Sequence, residues 1–409
     1  MRIITDILRK RTAFRFIFLL GVVSLFADFT YEGARGITGP YLAILGASAA
    51  LVGFVAGFGE FIGYGMRIIF GYIADRTGRY WAITIVGTIL NMLAVPALAL
   101  ANTSEIAIIL ILTERLGKAV RTPARDVMLS HAANAVGRGW GFGLHEAMDQ
   151  TGAVLGPLIV SIVLYLNGSY SQGFSILLAP AILSVVVLVL VKTIYPRPVE
   201  FEAKAIPHLA HSSSNIKAQE PNRKFPSIFW FYIAFVIVSV GGFANFQLIS
   251  YHFKNTALQT NAEIPAVYAS AMGIDALAAL AIGRLFDKKG LLVLLSVPLL
   301  TIPITPLVFA NSGLGIVLIG IILWGGVLGI QETIMKSTIA NMIPTPRRGI
   351  VFGIFNAAYG ISWFLGSTLM GILYSISISY IILFSILAEV ISIPIIFIVS
   401  RRMKTIKRC

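Results

Sequence analysis

The chain has 409 residues, of which 57% are hydrophobic and only 12% charged, with a mean hydropathy of +0.86. A soluble domain carries about 25% charged residues, so this composition excludes a soluble globular protein and indicates an integral membrane protein. The net charge of +14 lies between apolar runs, where it marks orientation and lipid-headgroup contact rather than nucleic-acid binding. The single cysteine, Cys409, rules out an internal disulfide.

The first apolar run, about 14–47, follows Arg9-Lys-Arg11 and is too long for a signal-peptide core, so it is expected to stay as an anchor. It contains Asp28-Phe-Thr-Tyr31-Glu32-Gly-Ala-Arg35. At about 100° per residue, Asp28, Glu32 and Arg35 fall within roughly 40° on one helical face. An ionised side chain at mid-bilayer costs about 3 kcal/mol, so this stripe must face protein or water. An ion or substrate pathway is one reading and a buried ion pair that locks neighbouring helices is the other.

Further runs follow at about 50–74, 80–101, 106–129, 140–166 and 173–194. The second carries Glu60 and Arg67 on one face, able to pair with each other or with the first helix. The fourth holds Glu114 and Arg115 inside the membrane, with Lys118, Arg121 and Arg125 crowding its end. In the fifth, Glu146 and Asp149 are one turn apart, beside His145 and Gln150, about 9–15 Å from the helix start. Each of these acids is a proton-coupling candidate, and a structural salt bridge is the competing reading.

Residues 195–226 are rich in Pro, Ser, Lys and Glu and are expected to form a cytoplasmic linker. Runs resume at about 227–251, 265–286, 290–310, 314–335, 349–375 and 378–400, making twelve expected spans. Prolines such as Pro298 and Pro303 do not exclude helix there, because neighbouring helices re-satisfy the freed backbone groups. This half is poorer in carboxylates, with Asp275, Glu332 and Glu389 in its eighth, tenth and twelfth spans. Its amides and aromatics suit solute contact: Asn245, Gln247, Gln331, Asn356, Tyr359 and Trp363, with Tyr31 and Arg115 from the first half. Lys and Arg concentrate in alternate loops and at both ends, so both termini are expected in the cytoplasm, in a multi-pass protein of the plasma membrane.

The halves repeat. Gly71-Tyr-Ile-Ala-Asp75-Arg-Thr-Gly78 returns as Gly283-Arg-Leu-Phe-Asp287-Lys-Lys-Gly290, an offset of 212 residues. Arg138-Gly-Trp-Gly-Phe142-Gly143 returns as Arg348-Gly-Ile-Val-Phe352-Gly353, an offset of 210. Two matches at nearly one spacing indicate a duplicated six-helix unit, an architecture of secondary transporters.

On these motifs the chain resembles the major facilitator superfamily over essentially its whole length. Gly71-x3-Asp75-Arg76-x-Gly78-Arg79 is similar to that family's signature between its second and third helices, with Asp287 in the degenerate copy. By resemblance this cluster latches the cytoplasmic side in the outward-facing state. Gly143-x8-Gly152-x3-Gly156-Pro157 is similar to the family's antiporter signature, departing from it at Val160-Ser161. The fourth helix departs further, since Arg115 lies two residues before Gly117 where the family spacing is four.

The fold class expected is therefore an all-α membrane protein of twelve helices. Two six-helix bundles, 1–194 and 227–409, would be related by pseudo-symmetry. No phosphate-cradling loop, Cys/His cluster or nucleophile–base constellation stands out, so no enzyme activity, cofactor or metal is expected. The function implied is alternating-access transport of a small organic solute, coupled to protons and directed outward, by a monomer among lipids. Proton-coupled uptake is the alternative, and a membrane-embedded enzyme or scramblase a more distant one.

Overall fold

The computed structural model describes residues 2–198, 225–257, 259–310, 313–335, 338 and 348–406. Most of the expected linker, 199–224, lies outside them. Every regular element among the described residues is helical, as lipid demands, since a helix satisfies its own backbone without partners. The first seven helices are α1 (Arg2–Ile44), α2 (Ala49–Thr77), α3 (Tyr80–Ala97), α4 (Ser104–Val136), α5 (Arg138–Tyr165), α6 (Tyr170–Ile176) and α7 (Leu178–Ile194). Then come α8 (Ser227–Gly242), α9 (Phe246–Thr256), α10 (Glu263–Lys289), α11 (Ser296–Thr301) and α12 (Ile304–Phe309). The last three are α13 (Leu314–Ile330), α14 (Arg348–Ile376) and α15 (Ile378–Ile406).

Local chemistry sets the ends. Ser48 caps α2 by accepting from the Leu51 amide at 3.2 Å. Gly78 closes it in the left-handed region (φ 62°), its amide returning to the Ala74 carbonyl at 2.9 Å. Ser169 and Gln172 form a capping box at the start of α6.

Among the described residues, eleven segments are long and apolar enough to cross a membrane. The expected span at 106–129 is not among them. There α4 runs 33 residues, about 50 Å at 1.5 Å per residue, but it carries seven charged residues between Glu105 and Asp126.

Several runs expected as single spans are interrupted. Pro180 has no N–H for the Ile176 carbonyl, and the chain breaks between α6 and α7. The run 290–310 becomes a 3₁₀ segment, Gly290–Leu295, followed by α11 and α12, because Pro298, Pro303 and Pro306 each remove a donor. Between α8 and α9 the backbone unwinds at Phe243–Asn245. The Asn245 side chain restarts the helix by accepting from the Leu248 amide at 2.8 Å, and the Trp324 indole donates to the Ala244 carbonyl at 2.7 Å. A single π turn, Gln331–Met335, ends the α13 span.

Within the first half α1 packs on α5 and α7, and α4 on α2 and α3; within the second, α10 packs on α13 and α15 on α8. Small residues permit the closest approaches. A Cβ at Gly152 would meet the backbone of Leu25 and Phe29, and one at Gly156 that of Phe29 and Gly33. Among the described residues the halves meet chiefly through α2 with α14, α1 with α9, and α5 with α10. The seam is tight at the end away from the termini. There Ser161 donates to the Ala262 carbonyl at 2.7 Å, Tyr170 to Asn261 at 2.9 Å, and Gly53 lies against Ser367 and Gly371.

Candidate functional site

A cavity of about 270 Å³ lies between the halves. It reaches toward the ends that carry the termini, where Glu146 lines it and is exposed. α1 supplies Asp28, Tyr31, Glu32 and Arg35, α2 supplies Glu60 and Arg67, and α4 supplies Arg115, Lys118, Arg121 and Arg125. The opposite wall, from the second half, is mostly apolar: Phe246, Met272, Trp324, Leu328 and Trp363, interrupted by Gln247, Asp275 and Glu332.

A charge at this depth is tolerated only if it is paired or wet. The first-half charges are knitted into two networks. In one, Arg35 donates to Glu60 across to α2 and lies 3.4 Å from Glu32 on its own helix. Arg115 continues the chain, 3.4 Å from Glu60 and 3.2 Å from Glu114. Glu114 also accepts from Asn91 of α3 at 2.9 Å. The other carboxylate oxygen of Glu32 accepts from the Tyr268 hydroxyl of α10, so this network crosses between the halves.

The second network lies nearer the termini. Arg121, fully buried, is 3.9 Å from Asp28. Arg125 donates to Asp126 at 3.0 Å and to Ser24 at 2.9 Å, and lies 3.9 Å from Asp149. His145 contacts both Ser24, at 2.9 Å, and Asp149, at 3.4 Å. Between the networks the Lys118 ammonium sits 3.9 Å over the Tyr31 ring. Among the described residues, no group of three or more His, Cys, Asp or Glu side chains is placed to hold a metal.

Asp28, Glu32, Arg35, Glu60, Glu146 and Asp149 therefore all line one cavity, and Glu114 stands directly behind it. Glu60 pairs with α1 and α4 rather than with Arg67, whose guanidinium lies 4.8 Å from the Tyr64 ring. Of the residues expected to contact solute, Tyr31, Arg115, Gln247 and Trp363 line the cavity. Asn245 instead caps α9, and Tyr359 is hydrogen-bonded to Gln331 at 3.5 Å. Asn356 is half-buried on α14, outside the lining.

Away from the cavity, Gly71 faces Pro123 of α4. Asp75, Arg76 and Arg79 are exposed, and Asp75 accepts only from Tyr80, at 3.4 Å, among the described residues. Asp287 falls in the last turn of α10, and its side chain is outside the described set. In α5, Gly143 is exposed, whereas Gly152 and Gly156 make the close approach to α1, with Pro157 following inside the helix.

The site contains more than the sequence reading assigned to it. Lys118, Arg121 and Arg125 line it, and their spacing from Glu114 by steps of three and four was a usable signal. Tyr268, Phe246 and Trp324 gave no such signal, being aromatic residues within apolar runs.

Comparison with known proteins supports the same architecture. Residues 17–367 match the family model of the Major Facilitator Superfamily. The chain is 39% identical to an uncharacterized protein of Mycobacterium tuberculosis over 387 residues, 94% of this chain and 93% of that protein. It is 29% identical over 177 residues to an uncharacterized MFS-type transporter of Methanocaldococcus jannaschii, 43% of this chain and 44% of the relative. Among solved structures, the nucleoside transporter NupG superposes with a TM-score of 0.70 at 15% identity, covering 95% of this chain and 99% of that one. A bacterial homologue of the human lysosomal transporter Spinster, inward-facing and unoccupied, gives 0.69 at 13% identity, covering 96% and 97%. With eleven segments apolar enough to span a membrane among the described residues, a charged cavity between its halves and a family match over most of its length, this chain belongs to the major facilitator superfamily of transporters.

Proposed function

We propose that the protein is a proton-coupled secondary transporter that exports a small polar solute by alternating access. In this reading residues 1–194 and 227–409 form two six-helix bundles, α4 being the twelfth span, joined by the linker 195–226. Both termini face the cytoplasm of a plasma-membrane protein. The cavity, sealed away from the termini and extended toward them, then corresponds to an inward-facing state. The export direction is supported by the Gly152-x3-Gly156-Pro157 face on α1. It is also supported by 34% identity over 120 residues, 29% of this chain, to the multidrug resistance protein MdtH of Photorhabdus laumondii.

The observation that carries proton coupling is the position of Glu32. One carboxylate is held both by Arg35 of its own helix and by Tyr268 of the other half. Protonating it removes the charge that Arg35 and Tyr268 share, and so loosens the joint between the halves. A proton thereby acts as a ligand with different affinity for the two conformations, which is the requirement for coupling. The test is transport in proteoliposomes. Glu32→Gln should abolish pH-driven transport while preserving solute counterflow, which needs no net proton movement. Full pH-driven transport by Glu32→Gln and by Asp28→Asn, singly and together, would refute this assignment.

A further inference from the structure

The charges of the cavity do not all cancel locally. Asp28, Glu32, Glu60, Glu114 and Asp149 each have a first-half cation within 4.0 Å. Among the described residues, two first-half cations in the same cavity have no carboxylate at that distance. Lys118 lies over the Tyr31 ring, and Arg67 lies beside Tyr64 with its Nε buried and without a hydrogen-bond partner. Asp28 and Glu32 act on Lys118 from beyond 4.0 Å, while their closest contacts go elsewhere, Asp28 to Arg121 and Glu32 to Arg35 and Tyr268.

The facing wall has the opposite remainder. Asp275 and Glu332 line the cavity, and neither has a cation within 4.0 Å among the described residues. Among the described residues, no basic side chain of the second half lines this cavity. The same wall carries Phe246, Trp324 and Trp363, aromatic side chains of the kind that attract organic cations. Asp275 is hydrogen-bonded to Gln150 of the first half, and remainders of opposite sign on opposite walls favour a ligand that brings both charges. The cavity, of about 270 Å³, has room for a short-chain solute.

We infer that the solute is a small zwitterion, its carboxylate held at Lys118 and Arg67 on the first half and its ammonium held at Asp275 and Glu332 on the second. This rests on the transporter reading for its consequence but not for its binding chemistry. A molecule held by both walls draws the halves together, whereas a singly charged one leaves one wall unsatisfied.

The test uses the purified full chain and a series of ω-amino acids from glycine to 8-aminooctanoate, with dialanine and trialanine. N-acetyl and methyl-ester derivatives of each supply the anion-only and cation-only forms. Binding is measured by ligand-dependent thermal stabilisation, which requires no transport. At least one zwitterion should bind, and removing either charge should weaken it roughly ten- to hundredfold, the worth of one charge-assisted hydrogen bond. Lys118→Ala should make the zwitterion no better than its ester, and Asp275→Asn no better than its N-acetyl form. That reciprocal pattern separates a binding role from misfolding, which would abolish all stabilisation alike. Absence of binding across the zwitterions, or equal binding of anion-only or cation-only forms, overturns the inference. Counterflow of the bound zwitterion in proteoliposomes is a separate arm: binding without counterflow refutes the transport reading and leaves the site assignment standing.

Discussion

Tyr268→Phe removes one hydroxyl and leaves the ring, which packs 4.3 Å from Phe246 and 6.3 Å from Trp324 between centroids. The fold should therefore survive, and the loss is confined to the hydroxyl's contacts with α1, the hydrogen bond to Glu32 and the contact with Arg35. A hydrogen bond to a charged acceptor contributes about 1.5–3 kcal/mol. Because it joins the halves in this conformation, that free energy is lost from the balance between the two states. It corresponds to a shift of about 12- to 160-fold in the equilibrium at about 1.4 kcal/mol per tenfold. A population of about 99:1 would become about 8:1 at the low end and roughly even at the high end. Spin labels at Leu166 and Asn255, both exposed at the sealed end, would report the change once Cys409 is replaced by serine. Double electron–electron resonance should show a new, longer distance in Tyr268→Phe and again in Glu32→Gln. An unchanged distribution in both variants would refute the bridge as a conformational element.

Arg115→Met strips Glu60 and Glu114 of a shared partner and should cost about 3–5 kcal/mol, seen as a lower melting temperature. Adding Glu114→Gln should recover part of that loss, and further destabilisation by the double variant would count against the pairing. Gly156→Leu places a side chain where the α1 backbone already lies, so it should reduce the yield of monodisperse protein by size-exclusion chromatography; a wild-type profile would contradict the close approach. Asp75→Asn should lower transport with normal expression and leave the sealed-end distances untouched, because Asp75 is exposed and reaches only Tyr80 among the described residues. Reporters inserted after Arg197 and fused at the C-terminus should both read cytoplasm, and an external signal at either would invert the orientation.

The spans were legible because a run of about twenty apolar residues has few other fates. Their interruptions were not. Asn245 or Pro303 inside an apolar run is compatible with a continuous helix until the neighbours that re-satisfy the backbone are known, here the Trp324 indole and the adjoining helices. The stripe of Asp28, Glu32 and Arg35 was readable from helical periodicity alone. Its partners were not, because Glu60 had several cations within reach and periodicity says nothing of which helices become neighbours. Tyr268 lies 236 residues from Glu32 in an apolar segment, and nothing local marks a hydroxyl that reaches so far along the chain.

The charge load of α4 bears on how the protein is made. Glu114, Arg115, Lys118 and Arg121 would each cost about 3 kcal/mol at the centre of a lone helix, together on the order of 10 kcal/mol against insertion. In the twelve-span reading this segment is therefore expected to enter the bilayer together with its neighbours. Glu60 and Asp28, which neutralise two of those cations, belong to helices synthesised earlier and are already in place when α4 emerges. In that reading the contacts that line the cavity would also order biogenesis. A variant that makes α4 more apolar should integrate more readily and yield more protein while losing the site, so expression level is a misleading guide to function here.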